Sequence, residues 1–477
     1  MIAEARSLLR THDSVLLQAP TGSGKTALAA YMLGSAASKN KRSWFLCHRA
    51  EILDQTALTF QKVGIPYGVI AAGHPLNPYM PVQLCSIDTL KSRPGRYQLP
   101  DLIVWDECHH VASAGWTRVK NANPQAKHVG LSATPERLDA KGLDDLFSAM
   151  VRGPSVAWLI ENGFLCDYKA FAPPGPDMAA VHTRMGDFVK SESEAVMSKS
   201  TITGDAVRTY MQRARRKRAV AFCVSIKHSE HVAAEFRAAG IVAVHIDGST
   251  PKPERQAAMK AFRNGDIQIL TSVDIFGEGV DVPAIEAVIL LRPTQSLSLY
   301  LQQVGRAFRP AEGKEFALIL DHAGNIARHG LPDDERTWDL KGRKKRKAGA
   351  GDTGPPLRQC PKCYATHRPA PVCPECRHVY AVVGREIEHV DADLVEVDVE
   401  AARRRRVIEN RSAESIADLV ARGKERGYKK PIHWSCHYSI SRKGKEATLN
   451  GLMEYATAQG ERDPVKWAAK IMSQVMR

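Results

Sequence analysis

Short apolar, β-branched runs alternate with helical patterns through the first third of the chain. They are SVLLQA (14–19), WFLCH (44–48), VQLCSI (82–87), DLIVW (101–105) and HVGLS (128–132). Such runs read as strands buried on both faces, and their alternation with helices describes a parallel sheet covered on each side. A second alternating block begins near Arg218, with AVAFCV (219–224), VAVHI (242–246), IQILTS (267–272), EAVILL (286–291) and FALILD (316–321). The Pro/Gly-rich stretch 171–188 between them has little periodicity and reads as part of a connector. The pattern therefore predicts two α/β domains, over 1–165 and 201–335, joined by a connector at 166–200.

Beyond residue 329 the pattern changes. Six of the eight residues 340–347 are basic, and Gly and Pro follow, so 336–358 reads as a flexible linker that buries no core. Four cysteines are bunched within 359–380. An acidic, valine-rich stretch (386–400) comes next, then Arg403 to Arg406. SAESIADLVARGKERG (412–427) and LNGLMEYATA (449–458) carry helical patterning, which makes 400–477 a small, basic, mostly helical module. No period of 20 to 50 residues recurs, which argues against a solenoid.

The chain has 477 residues, and 44% hydrophobic with 25% charged residues is a globular balance. No apolar run reaches the ~18 residues a membrane span needs, and MIAEARSLLRTHD is too polar for a signal peptide, so a soluble cytoplasmic protein with no membrane role is expected. The formal net charge is +15 and uneven: residues 336–477 carry 29 basic and 18 acidic side chains, the first 335 carry 38 and 34. A basic arm on a nearly balanced body suits a polyanion such as nucleic acid.

The strongest chemical signal is Ala19-Pro20-Thr21-Gly22-Ser23-Gly24-Lys25-Thr26, which follows a strand and opens a helix. Gly22 and Gly24 let backbone amides approach phosphates, Lys25 brings a charge to the β and γ groups, and the Thr26 hydroxyl suits Mg2+. At the end of another strand stand Asp106 and Glu107, one placed to hold Mg2+ through water and the other to orient and deprotonate an attacking water. Adjacent Cys108 and His109 at a strand end are poor metal ligands. Transition-state charge calls for arginine, and Gln302-Gln-Val-Gly-Arg306-Ala-Phe-Arg309 supplies two, three residues apart and hence on one face of a helix.

Cys360-x2-Cys363-x9-Cys373-x2-Cys376 forms two knuckles, each containing a proline. This spacing fits tetrahedral Zn2+, and four thiolates leave no open position, so the role is structural. His367 and His378 lie nearby as less suitable ligands. The flanking basic runs suggest that the ribbon grips nucleic acid, with protein contact through the ribbon or the C-terminal module as the rival reading.

The order of these motifs resembles the superfamily 2 helicases, DExH-box branch, over about residues 14–330. APTGSGKT (19–26) looks like motif I, FLCHRAEILDQT (45–56) like Ia, CSIDTL (85–90) like Ib and DECH (106–109) like II. Ser132-Ala133-Thr134 is similar to motif III, TSVDIFGEGVDVP (271–283) to V and QQVGRAFR (302–309) to VI. The resemblance implies two RecA-like domains with ATP in their cleft and nucleic acid across their tops. It implies coupling of hydrolysis to domain movement through His109, Ser132, Ala133 and Thr134, and nucleotide contacts from Gly279 and Asp281. Gln302, Arg306 and Arg309 would serve catalysis; Arg49, the loop at Thr89, and Thr271 would touch nucleic acid.

SATPERLDAKGLDDLF and GRAFRPAEGKEFALILDHAGN are similar to bacterial and phage helicases of the repair and restriction type, which favours DNA over RNA. The Arg-x-x-Gln adenine-reading element of many relatives is not found among the 18 residues before Ala19, which leaves base preference open. The expectation is an ATP-driven helicase or translocase on DNA. The alternatives are an RNA helicase, an ATP-switched clamp, or a restriction-type translocase subunit, although the tail shows no nuclease-like Asp…Glu-x-Lys.

Overall fold

The computed structural model describes residues 1–341, 356–380 and 409–476, apart from 49, 94–95, 111–113, 138–141, 185, 199, 274–284 and 411. Residues 1–382 make one compact unit and 383–477 a second.

The larger unit holds two parallel sheets, as the pattern predicts. In the first, β1 (Ser14–Gln18), β2 (Ser43–Cys47), β3 (Gly68–Ile70), β4 (Val82–Ser86), β5 (Leu102–Trp105), β6 (Lys127–Ser132) and β7 (Ala149–Arg152) lie in the order β3-β4-β2-β5-β6-β1-β7. Successive side chains go to opposite faces. Val15, Leu17, Phe45, Val104 and Leu131 join one apolar core, while Leu16, Trp44, Leu46, Ile103 and Trp105 join the other. This two-sided burial is why the strands read as unbroken apolar runs.

The second sheet contains β8 (Asp167–Phe171), β11 (Ala219–Phe222), β12 (Ala243–Ile246), β13 (Ile269–Ser272), β14 (Ala287–Leu290) and β15 (Phe316–Asp321), in the order β12-β13-β11-β14-β15-β8. A two-stranded hairpin, β9 (Thr183–Arg184) with β10 (Asp187–Phe188), lies between β8 and β11 in sequence. The connector expected at 166–200 is therefore corrected: it supplies an edge strand, parallel to β15 over Asp167 to Phe171.

The linker expectation is corrected as well. The Leu340 carbonyl accepts the amides of Leu143 (2.6 Å) and Asp144 (3.1 Å), Trp338 is buried, and Arg336 donates to the carbonyls of Leu331 and Pro332. Residues 336–341 thus belong to the body. The basic run 342–347 lies outside the described residues, as do the acidic stretch 386–400 and Arg403 to Arg406.

The cysteine ribbon, with β16 (Arg358–Gln359) and β17 (Thr366–His367), packs on the β8 edge. Phe171 bridges Ala365, the Ala172 amide donates to the Tyr364 carbonyl at 3.0 Å, Lys169 pairs with Glu375 at 3.0 Å, and Arg368 pairs with Asp333 and Asp334 at 3.2 and 3.0 Å. An open strand edge exposes unpaired amides and carbonyls, and the ribbon covers part of this one.

In the second unit, α1 (Ile416–Glu425) opens on a capping box in which Ser415 and Asp418 bond each other's amides. It is followed by α2 (Pro431–Ala458), broken at Gly444, and α3 (Pro464–Val475). Ile416, Val420, Cys436, Leu452, Ala468 and Met472 form their shared core, in agreement with the expected helical module. Among the described residues no helix is long and apolar enough to cross a membrane.

Candidate nucleotide site and metal centre

The loop after β1 turns through Gly22 and Gly24, both at φ +84°, into the helix Lys25–Ala37. A side chain at Gly22 would also meet Leu165 Cδ2 at 2.9 Å. The loop thereby presents backbone amides at a helix N-terminus, the arrangement that binds phosphate. Lys25 Nζ donates to the carbonyls of Ala19 (3.2 Å) and Pro20 (3.3 Å). Burial pulls the Lys25 ammonium below its ordinary range, Glu107 and Asp106 act to restore it, and Arg306 and Arg309 add to the lowering. That balance gathers motifs I, II and VI around one ammonium group. The Ser23 hydroxyl is buried here without a hydrogen bond among the described residues.

Asp106 directly follows β5. Glu107 adopts φ +46°, a left-handed conformation that non-glycine residues rarely take and that commonly marks functional sites. Its Oε2 is buried, makes no hydrogen bond among the described residues, and lies 3.6 Å from His109 Nδ1. The Cys108 thiol is buried and pushed well up by that burial, in keeping with a packing role.

A polar chain runs from motif II into the second domain. His109 Nδ1 lies 3.3 Å from Ser132 Oγ, which donates to the Thr134 carbonyl at 2.7 Å and accepts the Thr134 amide at 3.2 Å. The Thr134 hydroxyl bonds that of Ser298, to which Gln302 Nε2 donates at 3.5 Å. The Ala133 carbonyl accepts Gln18 Nε2 at 3.0 Å, which ties this segment to the end of β1. Sequence reading missed Ser298, since a single serine in a helix carries no local mark.

The helix Leu297–Gly305 ends before the arginines, so both lie in the turns beyond it, which corrects the expected helical face. These turns continue with i to i−3 bonds, Arg306 N to Gln303 O (3.3 Å) and Ala307 N to Val304 O (3.0 Å). Gly305 allows the approach: a Cβ there would stand 2.7 Å from Thr21 Cβ of the phosphate loop. Arg309 Cγ lies 3.9 Å from the corresponding point on Gly22, and burial lowers its guanidinium. Lys314, also missed, donates to the carbonyls of Ala307, Arg309 (2.9 Å) and Ile285 (2.8 Å) and so fixes the turn that carries Arg309. A cavity of about 240 Å³ opens beside these elements, lined by Thr21, Thr134, Gly305, Phe308 and Trp338 among others.

The structure places two of the residues expected to touch nucleic acid, and it corrects the loop expected at Thr89. Thr89 lies in the helix Ile87–Ser92, not a loop, and is buried. Thr271 is fully buried, and its hydroxyl exchanges bonds of 2.9 Å with Ser229, so it is used within the domain. Arg49, Gly279 and Asp281 lie outside the described residues.

The four cysteine sulfurs lie within 4.8 Å of one another, with Cys360–Cys376 at 3.6 Å and Cys363–Cys373 at 3.7 Å. Zn–S bonds of about 2.3 Å in a tetrahedron set sulfurs about 3.8 Å apart, which these distances fit. The knuckles match: Tyr364 and Arg377, each just after a second cysteine, take φ of +58° and +60°, and each donates its amide back to the first cysteine's carbonyl. His367 stands apart, with Nδ1 at 2.6 Å from the Arg368 carbonyl and Nε2 at 2.8 Å from the Tyr380 hydroxyl.

Residues 1–137 match the family described as type III restriction enzyme, res subunit, and residues 203–311 match the helicase conserved C-terminal domain. A 51.5 kDa protein of a Lactococcus phage is 33% identical over 392 residues, 81% of this chain and 83% of its own length. IRC3 of Saccharomyces cerevisiae, a candidate ATP-dependent helicase, is 26% identical over 64% of this chain and 47% of its own, so the chain spans about half the length of that relative. The type ISP restriction-modification enzyme LlaBIII, solved bound to DNA, superposes with a TM-score of 0.52 at 20% identity, over 67% of this chain and 27% of that one.

Two parallel-sheet RecA-like domains closing a phosphate loop, a paired acid and paired arginines on one another define an ATP-hydrolysing motor of the helicase class. The chain belongs to the superfamily 2 helicases.

Proposed function

We propose that this helicase acts on DNA and converts ATP hydrolysis in the interdomain cleft into movement along, or separation of, its strands. The observation that carries the reading is the polar chain from Glu107 through His109, Ser132 and Thr134 to Ser298, because it joins the water-activating acid to the other domain. DNA is favoured over RNA by the restriction-enzyme family matched by residues 1–137 and by the DNA-bound enzyme of the same fold. Steady-state ATPase with single-stranded, duplex and forked DNA and with RNA tests it: DNA should stimulate turnover most, and stimulation by RNA alone would overturn the DNA reading.

In this mechanism the phosphate-loop amides and Lys25 hold the β and γ phosphates, and Glu107 takes the proton of the attacking water. Arg306 and Arg309 offset charge as it develops on the γ-phosphoryl oxygens. Thr26 and Asp106 would hold Mg2+, which supplies charge neutralisation on the phosphate oxygens when bound. Cys360, Cys363, Cys373 and Cys376 would hold a structural Zn2+.

The coupling role yields a distinct expectation. Ser298→Ala removes one hydrogen bond across the cleft, worth ~0.5–1.5 kcal/mol, so DNA-stimulated turnover should fall about 2- to 10-fold while unstimulated ATPase and nucleotide affinity hold. Equal losses with and without DNA would assign Ser298 to packing alone.

A further inference from the structure

In the C-terminal module, α2 buries Ile432, Cys436 and Ile440 toward the shared core. Trp434 and Tyr438 each lie two residues from Cys436, about 160° around the helix from it at ~100° per residue, and neither joins that core. Instead the rings form a ladder. Tyr428, 40% exposed, meets Trp434 edge-on at 5.0 Å; Trp434 stacks on Tyr438 at 5.8 Å and 24°; and the Arg442 guanidinium lies 5.9 Å from the Tyr438 ring.

The surroundings of the ladder are cationic. Residues 424–446 hold seven basic side chains (Lys424, Arg426, Lys429, Lys430, Arg442, Lys443 and Lys445) against two acids, Glu425 and Glu446. Lys429, Lys430, Arg442 and Lys445 are exposed. Trp434 and Tyr438 are half-exposed, with Trp434 Cε3 3.3 Å from where a side chain at Gly423 of α1 would begin; an aromatic stripe partly open to solvent and flanked by lysine and arginine has the chemistry of single-strand recognition. Bases stack on the rings, and the charges follow the phosphates.

We propose that the Tyr428–Trp434–Tyr438 ladder is a stacking platform for single-stranded DNA, with Lys429, Lys430 and Lys445 facing its backbone. The choice of DNA rests on the functional reading above. The platform explains the basic tail by a named surface, where charge alone would not distinguish a strand from a duplex.

The test is fluorescence anisotropy of labelled dT20 with full-length protein, without nucleotide, across a salt series. Trp434→Ala and Tyr438→Ala should each weaken binding about 5- to 100-fold, the range for losing one stacked base, with little change in salt slope. Trp434→Phe, which keeps a ring, should restore most of the affinity. Lys429→Gln with Lys430→Gln should flatten the slope of log affinity against log salt by about 0.7 for each phosphate no longer neutralised. Unchanged dT20 affinity in both ring variants would overturn the platform. So would a loss as large for Trp434→Phe as for Trp434→Ala, which marks packing, or an equal loss with blunt duplex, whose base faces are covered. Far-UV circular dichroism confirms that α2 is retained. If DNA fails to stimulate the wild-type ATPase, the functional reading fails, while the dT20 measurement still judges the ladder.

Discussion

Glu107→Gln should bind ATP as tightly as the parent chain yet hydrolyse it about 10²-fold or more slowly, as expected when the group that activates the attacking water is lost. The geometry sharpens this expectation. Glu107 holds a left-handed backbone conformation, and its Oε2 is buried without a hydrogen bond among the described residues, so an acceptor is held ready at the end of β5. Lys25→Ala should fail differently, losing nucleotide affinity as well as turnover, since the ammonium acts on phosphates in ground and transition states alike. Titration with a fluorescent ATP analogue beside single-turnover hydrolysis separates the two. A Glu107→Gln chain with undiminished single-turnover hydrolysis would remove Glu107 from the water-activating role.

Cys363→Ser should abolish metal binding and lower the melting temperature of the body. About one zinc per chain is expected in protein purified without added metal, and loss of one ligand releases binding energy that is also folding energy. The consequence is not confined to the ribbon, as its separate place in the sequence suggests. Cys360, Cys363, Ala365 and Cys373 share an apolar cluster with Phe171, Ala221, Ile289 and Leu318 of the second sheet, and Arg213 donates to the Cys363 carbonyl at 3.2 Å. Uncovering Phe171 alone costs about 2 kcal/mol, which for a domain of ~150–250 residues corresponds to about 4–8 °C. Thermal unfolding with parallel metal analysis checks this; a metal-free parent chain, or a variant that melts like the parent, would refute it.

The elements of the candidate nucleotide site that the structure describes were legible in the sequence where their signals are local. Gly22 and Gly24 sit where the chain needs positive φ, Lys25 begins the helix, and Asp106 and Glu107 follow an apolar run that only a buried strand explains. The cysteine spacing was equally direct, since a two-residue gap sets the size of each knuckle. The surroundings of small hydroxyls were less legible: Thr271 turns inward to Ser229, and Thr89 is buried in a helix, because a motif's position along the chain does not say which way a small hydroxyl points.

By itself, the sequence determined the two parallel sheets, the phosphate loop, the acid pair, the thiol set and a helical C-terminal module, for each rests on periodicity or on spacing within a few residues. Tertiary structure alone decided that β8, whose DYKAF run is only partly apolar, completes the second sheet, and that the ribbon lies on its edge. It also decided that Ser298 meets Thr134 across 164 residues of chain and that Lys314 clamps the arginine turn. These features depend on which surfaces meet after collapse. A hydrophobic pattern states that a strand is buried, not in which sheet, and a solitary serine or lysine acquires its role only from the carbonyl or hydroxyl that folding brings opposite it.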